Sequence, residues 1–192
     1  MKWNLVLAVC CLMLLGMNIA LIRQNKILKD QVSQSPLAME APVGAQMPEL
    51  KGFDPTGKPF SIAYGKDPRK VLVFVYSPAC GFCTQNWPKW WQLFPELNRS
   101  NVRPVGVDVS ATSTMDYISR QFKDLPVVTQ IDPKDVVDYR LHLTPQTILV
   151  DETGKVEKVW SGVLTDANVA EIKRMIGKST ISSGAVQLEQ RR

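Results

Sequence analysis

Cys80-Gly81-Phe82-Cys83 is the stretch of this chain whose residue types and spacing point most directly to chemistry. Two cysteines separated by two residues fit into one helical turn, close enough for their sulfurs to bond. A thiol at a helix N-terminus faces unpaired N–H groups and the positive end of the helix dipole, and both favour the thiolate. The thiolate is the species that attacks a disulfide. Spaced this way after a strand, the pair is a thiol–disulfide redox signature. Thr144-Pro145 follows about sixty residues later; taken alone it reads as an ordinary proline entering a strand.

Other uses of the pair are weaker. A closed zinc site needs four ligands, and beyond the pair the chain offers only His142 and the distant Cys10 and Cys11. A purely structural bridge across so short a loop constrains the unfolded chain little. The soft set Cys80, Cys83 and His142 suits Cu(I), so a copper-binding or assembly module is the alternative to redox exchange. Taken by itself, His142 reads as a surface or packing residue. Cys10 and Cys11 sit in an apolar run and read as packing residues.

The elements that must position the pair follow from hydrophobic pattern. Val71 to Tyr76 is a continuous apolar run, as expected of a central strand covered on both faces. Cys83 to Asn98 predicts a helix, with Trp87, Trp90, Trp91 and Phe94 at helical spacing and Pro88 as a kink. The tryptophans read first as the stripe that packs this helix on a sheet, and second as the flank of a groove. Before these come Pro48 to Ile62, a hairpin turning at Asp54-Pro55-Thr56-Gly57-Lys58. After them come a strand at Val102 to Val109, a helix capped by Ser113 or Thr114 and running through Phe122, and a short strand at Val127 to Ile131. A short helix at Pro133 to Tyr139 precedes strands at Gln146 to Val150 and Val156 to Trp160, which are joined by a turn at Asp151 to Lys155. A helix from Asp166 to Ile176, capped by Thr165 or Asp166, closes the series. Strands alternating with helices and then an antiparallel hairpin describe an α/β fold with a mixed sheet flanked by helices.

At 192 residues and 45% hydrophobic content the chain has room for one domain plus appendages. Its formal charge of +5 is scattered rather than striped, and no nucleic-acid motif is present. Leu5 to Ile22 carries no charge and is interrupted only by Gly16 and Asn18, about the length of a membrane-spanning helix. A cleaved signal peptide is the rival, but its apolar core is usually shorter and ends in a small-x-small site, which Met17-Asn18-Ile19-Ala20 matches poorly. The expected organisation is an anchor over 1–23, a polar, proline-bearing linker over 24–45, a globular domain over 46–178 and a flexible tail over 179–192. Arg23, Lys26 and Lys29 follow the apolar run while only Lys2 precedes it, so the charge rule would hold the following domain in the cytoplasm.

In this order the parts resemble the thioredoxin fold and, more narrowly, the membrane-anchored TlpA/ResA-like thiol–disulfide oxidoreductases. The match is carried by Met47-Pro48-Glu49-Leu50 to Gly57-Lys58, by Val71 to Cys83, by Pro88, and by Leu143 to Asp151 with Gly154 and Gly162. Together these cover about Pro42 to Gly177. The resemblance implies that Cys80 is the exposed nucleophile, that Cys83 is the buried resolving thiol, and that the two cycle through a Cys80–Cys83 disulfide. It implies a cis peptide at Pro145, with Thr144, Pro145, Gly81 and Phe82 receiving an extended substrate segment. No cofactor or metal is implied; copper-delivery relatives of this fold use wider cysteine spacing. The implied partners are protein thiols or disulfides and a membrane electron donor, with the domain outside the cytoplasm on the inner or cytoplasmic membrane, as a reductase. Cytochrome c maturation is one setting found in the family. Three positions depart from thioredoxins: Ala79 stands for the usual Trp, Phe82 for the usual Pro, and Phe74 for a buried acid that handles the resolving thiol's proton. With no acid there, water or another carboxylate such as Asp108 is left to take that proton.

Overall fold

The computed structural model describes residues 2–34 and 40–189. They belong to two compact units, Met1–Ala38 and Met39–Arg192. In the first, α1 spans Lys2–Gln34. It holds no proline, and Asn18, which interrupts the run Leu5–Ile22, is satisfied internally: its Nδ2 donates to the Leu14 carbonyl one turn back, at 2.9 Å. Among the described residues no helix is long and apolar enough to cross a membrane. The side chains of residues 4–9, which open the run Leu5–Ile22, lie outside the described ones, and part of the expected anchor over 1–23 falls on them. The helical backbone continues well into the expected linker.

The second unit begins with a hairpin, β1 (Leu50–Phe53) and β2 (Pro59–Ile62). There follow β3 (Lys70–Tyr76), α2 (Gly81–Trp91), α3 (Phe94–Leu97), β4 (Val102–Asp108), α4 (Met115–Phe122), β5 (Val127–Val128), α5 (Pro133–Asp138), β6 (Gln146–Val150), β7 (Val156–Ser161) and α6 (Asp166–Glu189). The five later strands form one mixed sheet in the order β5-β4-β3-β6-β7. β3 lies at its centre, parallel to β4 and antiparallel to β6.

Strand periodicity divides the core. Leu72, Phe74 and Tyr76 of β3 enter one cluster with Cys83, Trp87, Trp90, Phe122, Ile172 and Ile176. Val71, Val73 and Val75 enter a second with Leu50, Ile62, Tyr139, Leu141 and Ile148. Alternate residues point to opposite faces, so the apolar run Val71–Tyr76 of β3 feeds both layers. The two hairpins turn on the same device. Asp54 Oδ1 accepts from the N–H groups of Thr56 and Lys58 at 2.8 and 3.0 Å. Asp151 Oδ1 does the same for Thr153 and Lys155, both at 2.9 Å.

Several boundaries differ from expectation. The helix expected over Cys83 to Asn98 starts earlier, at Gly81, and breaks after Trp91. Pro95 has no N–H to return to Trp91, so the chain restarts as α3 with proline in its first turn. Pro88 is carried inside α2. The strand expected over Val127 to Ile131 ends at Val128. Thr129 leaves it to bridge to Phe53 of the N-terminal hairpin, and Gln130 has a φ of 50°, out of the extended region. Residues 41–45, expected in the linker, pack and pair with the second unit: Ala41 is buried, and Val156 N–H donates to the Ala45 carbonyl at 2.9 Å. α6 runs on to Glu189, where a tail was expected; no proline interrupts it, and 190–192 lie outside the described residues.

Candidate active site

The loop leaving β3 places Cys80 at the N-cap of α2. Cys80 has extended backbone, φ −84° and ψ 111°, and its sulfur accepts from the Cys83 N–H at 3.2 Å. The sulfur thus occupies the position where a capping oxygen usually satisfies an orphan helix donor. Cys80 is half-buried, whereas Cys83, one turn on, is fully buried in the first core cluster. Both are free thiols. Gly81 and the Phe82 side chain, 64% exposed, face solvent at the helix start.

The loop before β6 completes the site. Thr144-Pro145 is a cis peptide, and the Cys80 thiol donates to the Thr144 carbonyl at 3.3 Å. A third segment braces this loop. After β7, Gly162 N–H donates to the Pro145 carbonyl at 2.8 Å, with Gly162 at a φ of 79° that few other residues adopt. Leu164 N–H donates to Asn86 Oδ1 of α2 at 2.8 Å. Thus α2, the cis-proline loop and the loop after β7 are tied together around the two sulfurs.

The two thiols are driven apart electrostatically. Partial burial pushes Cys80 up, but hydrogen bonds from the Cys83 thiol, from Thr144 and from the Cys83 and Phe82 N–H groups outweigh it, and the net shift is downward. Burial pushes Cys83 up to about 12, reinforced by its hydrogen bond to Cys80 and by the charge there. The result is one accessible, more acidic thiol and one buried, weakly acidic thiol behind it. Such a pair can form a mixed disulfide at the first sulfur and close a bridge with the second.

The expected site residues Cys80, Cys83, Gly81, Phe82, Thr144 and Pro145 are brought together. His142 is exposed, and among the described residues no cluster of three His, Cys, Asp or Glu gathers to hold a metal ion. The copper set of Cys80, Cys83 and His142 does not gather among the described residues. Trp87 and Trp90 are core residues, with Trp90 Nε1 donating to Thr147 Oγ1 at 2.9 Å, so they do not flank a groove. Phe74, at the position of the missing acid, packs edge-on against Trp90 with ring centroids 5.3 Å apart. Asp108 is fully buried, and its oxygens accept from Ser110 and Ser113, with Ser113 N–H at 2.8 Å.

Two neighbours of the thiols escaped the sequence reading. Asn86 is fully buried one turn after Cys83, and its Nδ2 has no partner. Its position three residues on, on the buried face of the predicted helix, was the available signal. Tyr117 of α4 accepts from Trp87 Nε1 at 3.1 Å; nothing in the sequence places α4 beside α2.

The profile of the AhpC/TSA family matches residues 43–159. No curated protein matches the chain at a significant level. Among solved structures, the chain is similar to the thioredoxin domain of a thiol-disulfide oxidoreductase from Bacteroides vulgatus, at 21% identity and a TM-score of 0.57, over 70% of this chain and 97% of that one. It is similar to a thiol:disulfide interchange protein from a Bacteroides species, at 19% identity and TM-score 0.54, over 72% and 92%. It is also similar to StoA from Bacillus subtilis, at 20% identity and TM-score 0.52, over 69% and 96%. At these identities the likeness establishes a thioredoxin-like fold.

Proposed function

We propose that this chain, which belongs to the AhpC/TSA family, is a protein thiol–disulfide oxidoreductase. The observation that carries the reading is the Cys80 sulfur capping α2, with a fully buried thiol behind it and the Thr144 carbonyl against it. Cys80 as thiolate attacks a substrate disulfide, and Cys83 then attacks Cys80 to release the reduced product and leave a Cys80–Cys83 disulfide. Thr144 and Pro145, with Gly81 and the exposed Phe82, receive the substrate segment that carries the disulfide. The names of the solved neighbours, thiol-disulfide oxidoreductase and thiol:disulfide interchange protein, agree with this reading.

The finer reading is a reductase held at the inner or cytoplasmic membrane by Leu5–Ile22, with its redox domain outside the cytoplasm and a membrane electron donor to restore the dithiol. An uncharged run on a helical backbone, with Asn18 bonded within the helix, supports the anchor. Assembly of cytochrome c is one setting for such a protein.

The test is trapping. A Cys83→Ala variant, exposed to a disulfide-bearing protein, should accumulate a mixed disulfide at Cys80, while Cys80→Ala should trap nothing. Absence of any adduct in Cys83→Ala would overturn the exchange reading. Equilibration of the full chain with glutathione then gives direction: a potential near about −270 mV marks a reductase and one near about −120 mV an oxidant.

A further inference from the structure

Once Cys80 is captured in a mixed disulfide, Cys83 must ionise, and the dithiol arrangement no longer helps it. In the dithiol, Cys83 hydrogen-bonds to the Cys80 sulfur. In the mixed disulfide that sulfur is uncharged and is the atom to be attacked. Cys83 is fully buried among aromatic rings, with no acid at position 74 and Asp108 engaged by Ser110 and Ser113. A donor that meets the developing thiolate would lower the barrier to its formation.

Cys80, Cys83 and Trp87 fall on one stripe of α2, at i, i+3 and i+7. Trp87 Nε1 donates to the Tyr117 hydroxyl at 3.1 Å, which ties that oxygen to the residue one turn after Cys83 on α2. Because the oxygen accepts from Trp87, its own proton stays available to donate. The ring is held on two sides, stacked on Tyr76 at 6.0 Å and edge-on to Trp87 at 6.2 Å. Tyr117 is half-buried and packs on the rim of the cluster that buries Cys83, as does Cys80. Burial keeps the phenol protonated, and its charge couplings are to Cys83, Asp108 and Cys80. The other titratable groups at this corner are Tyr76 from β3 and Asp108 at the end of β4, while the Asp116–Arg120 pair of α4 is exposed to solvent.

We propose that Tyr117 is a further catalytic residue for the second half of the exchange, its O–H donating to the Cys83 sulfur as the thiolate forms. The proposal rests on the exchange reading above. The Cys83 thiolate attacks Cys80 Sγ, and the Cys83–Cys80 bond forms as the Cys80–substrate S–S bond breaks. The departing thiolate keeps the electron pair, and the Cys83 proton goes to solvent.

The experiment uses the full chain with Cys10→Ser and Cys11→Ser, reduced and mixed with dithiobis(nitrobenzoate). Two thionitrobenzoate anions leave in sequence: the first when Cys80 attacks the reagent, the second when Cys83 attacks Cys80. Tyr117→Phe, which keeps the ring, should leave the first release unchanged. It should slow the second about tenfold and move its pH midpoint upward, as expected for loss of a hydrogen bond to a charged group. A fluorinated tyrosine at 117, a stronger donor, should speed the second release, and this holds the proposal open to refutation even if Tyr117→Phe folds poorly. An unchanged second release in either variant overturns the proposal. So does equal slowing of both releases, which would mark the ring as scaffold only. A wild-type chain that gives no rapid first release fails the exchange reading itself.

Discussion

Selective alkylation tests the electrostatic asymmetry of the two thiols quantitatively. Cys83 is pushed up to about 12 by burial; at pH 7.5 about one molecule in 30,000 then carries the Cys83 thiolate. Cys80 lies below its ordinary value of 9.0, so more than about one in thirty is ionised at the same pH. The ratio of thiolates is at least about a thousand in favour of Cys80. A more basic thiolate is the better nucleophile, and a Brønsted slope of about 0.45 returns a factor of about 20 to Cys83, leaving Cys80 ahead about 40-fold from ionisation alone. The burial of Cys83 widens the margin. Timed quenching of the reduced protein with iodoacetamide, with fragment ions locating the label on the peptide that spans both cysteines, reads the two rates directly. Nearly all early label should sit on Cys80, and its rate should rise with pH to a midpoint below 9.0. Labelling of Cys83 at more than about a tenth of the Cys80 rate would refute the reasoning. So would a Cys80 midpoint at or above that of an unperturbed thiol.

Three further outcomes follow from the packing and charges around the site. Gly106→Ala puts a methyl 2.6 Å from the Phe122 ring, which Tyr76 and Trp87 confine at 4.8 and 4.9 Å. Thermal melting should fall by about 4–8 °C, since overpacking costs about 1–3 kcal/mol, and Phe122→Leu in the same chain should restore part of it. Asn86→Ala removes the acceptor for the buried Leu164 N–H, at a cost of about 1–3 kcal/mol. Hydrogen exchange at Leu164 and Gly162 should quicken while amides of β3 stay protected. Asp67 is held down to about 2, chiefly by its hydrogen bond from Arg69. A depressed folded-state pKa means its stabilisation is present above the unfolded value, 3.8, and is lost as pH falls toward 2. Asp67→Asn should therefore lower the melting temperature at pH 7 by about one or two degrees and flatten the acid limb between those values.

Much of this fold and site could be read along the chain, because the signals are local. Val71 to Tyr76 announces a strand buried on both faces, and β3 is that strand. Asp54-Pro55-Thr56-Gly57-Lys58 and Asp151-Glu152-Thr153-Gly154-Lys155 each encode a carboxylate that closes its own turn. Cys80-Gly81-Phe82-Cys83 encodes a first sulfur at a helix start and a second within reach. In each case the interacting atoms are separated by only a few residues, so spacing and residue type suffice. The break after Trp91 was local as well, and Pro95 is its cause.

What only tertiary structure decided lies between segments distant in sequence. Composition cannot say that Thr144 meets Cys80, that Gly162 braces Pro145, or that Asn86 caps the Leu164 N–H. Nor could it show that His142 stays outside while Tyr117 comes to the helix of the two thiols. Thr129 pairs with Phe53 rather than extending β5, an outcome set by where the N-terminal hairpin docks. These contacts follow from how strand order and helix packing bring remote chain together, and sheet topology is a global minimum over burial and pairing that no short window of sequence contains. The chemistry of the two thiols was therefore legible in four residues, while the difference in their acidity, which makes that chemistry directional between them, was settled by burial and by the loops folded over them.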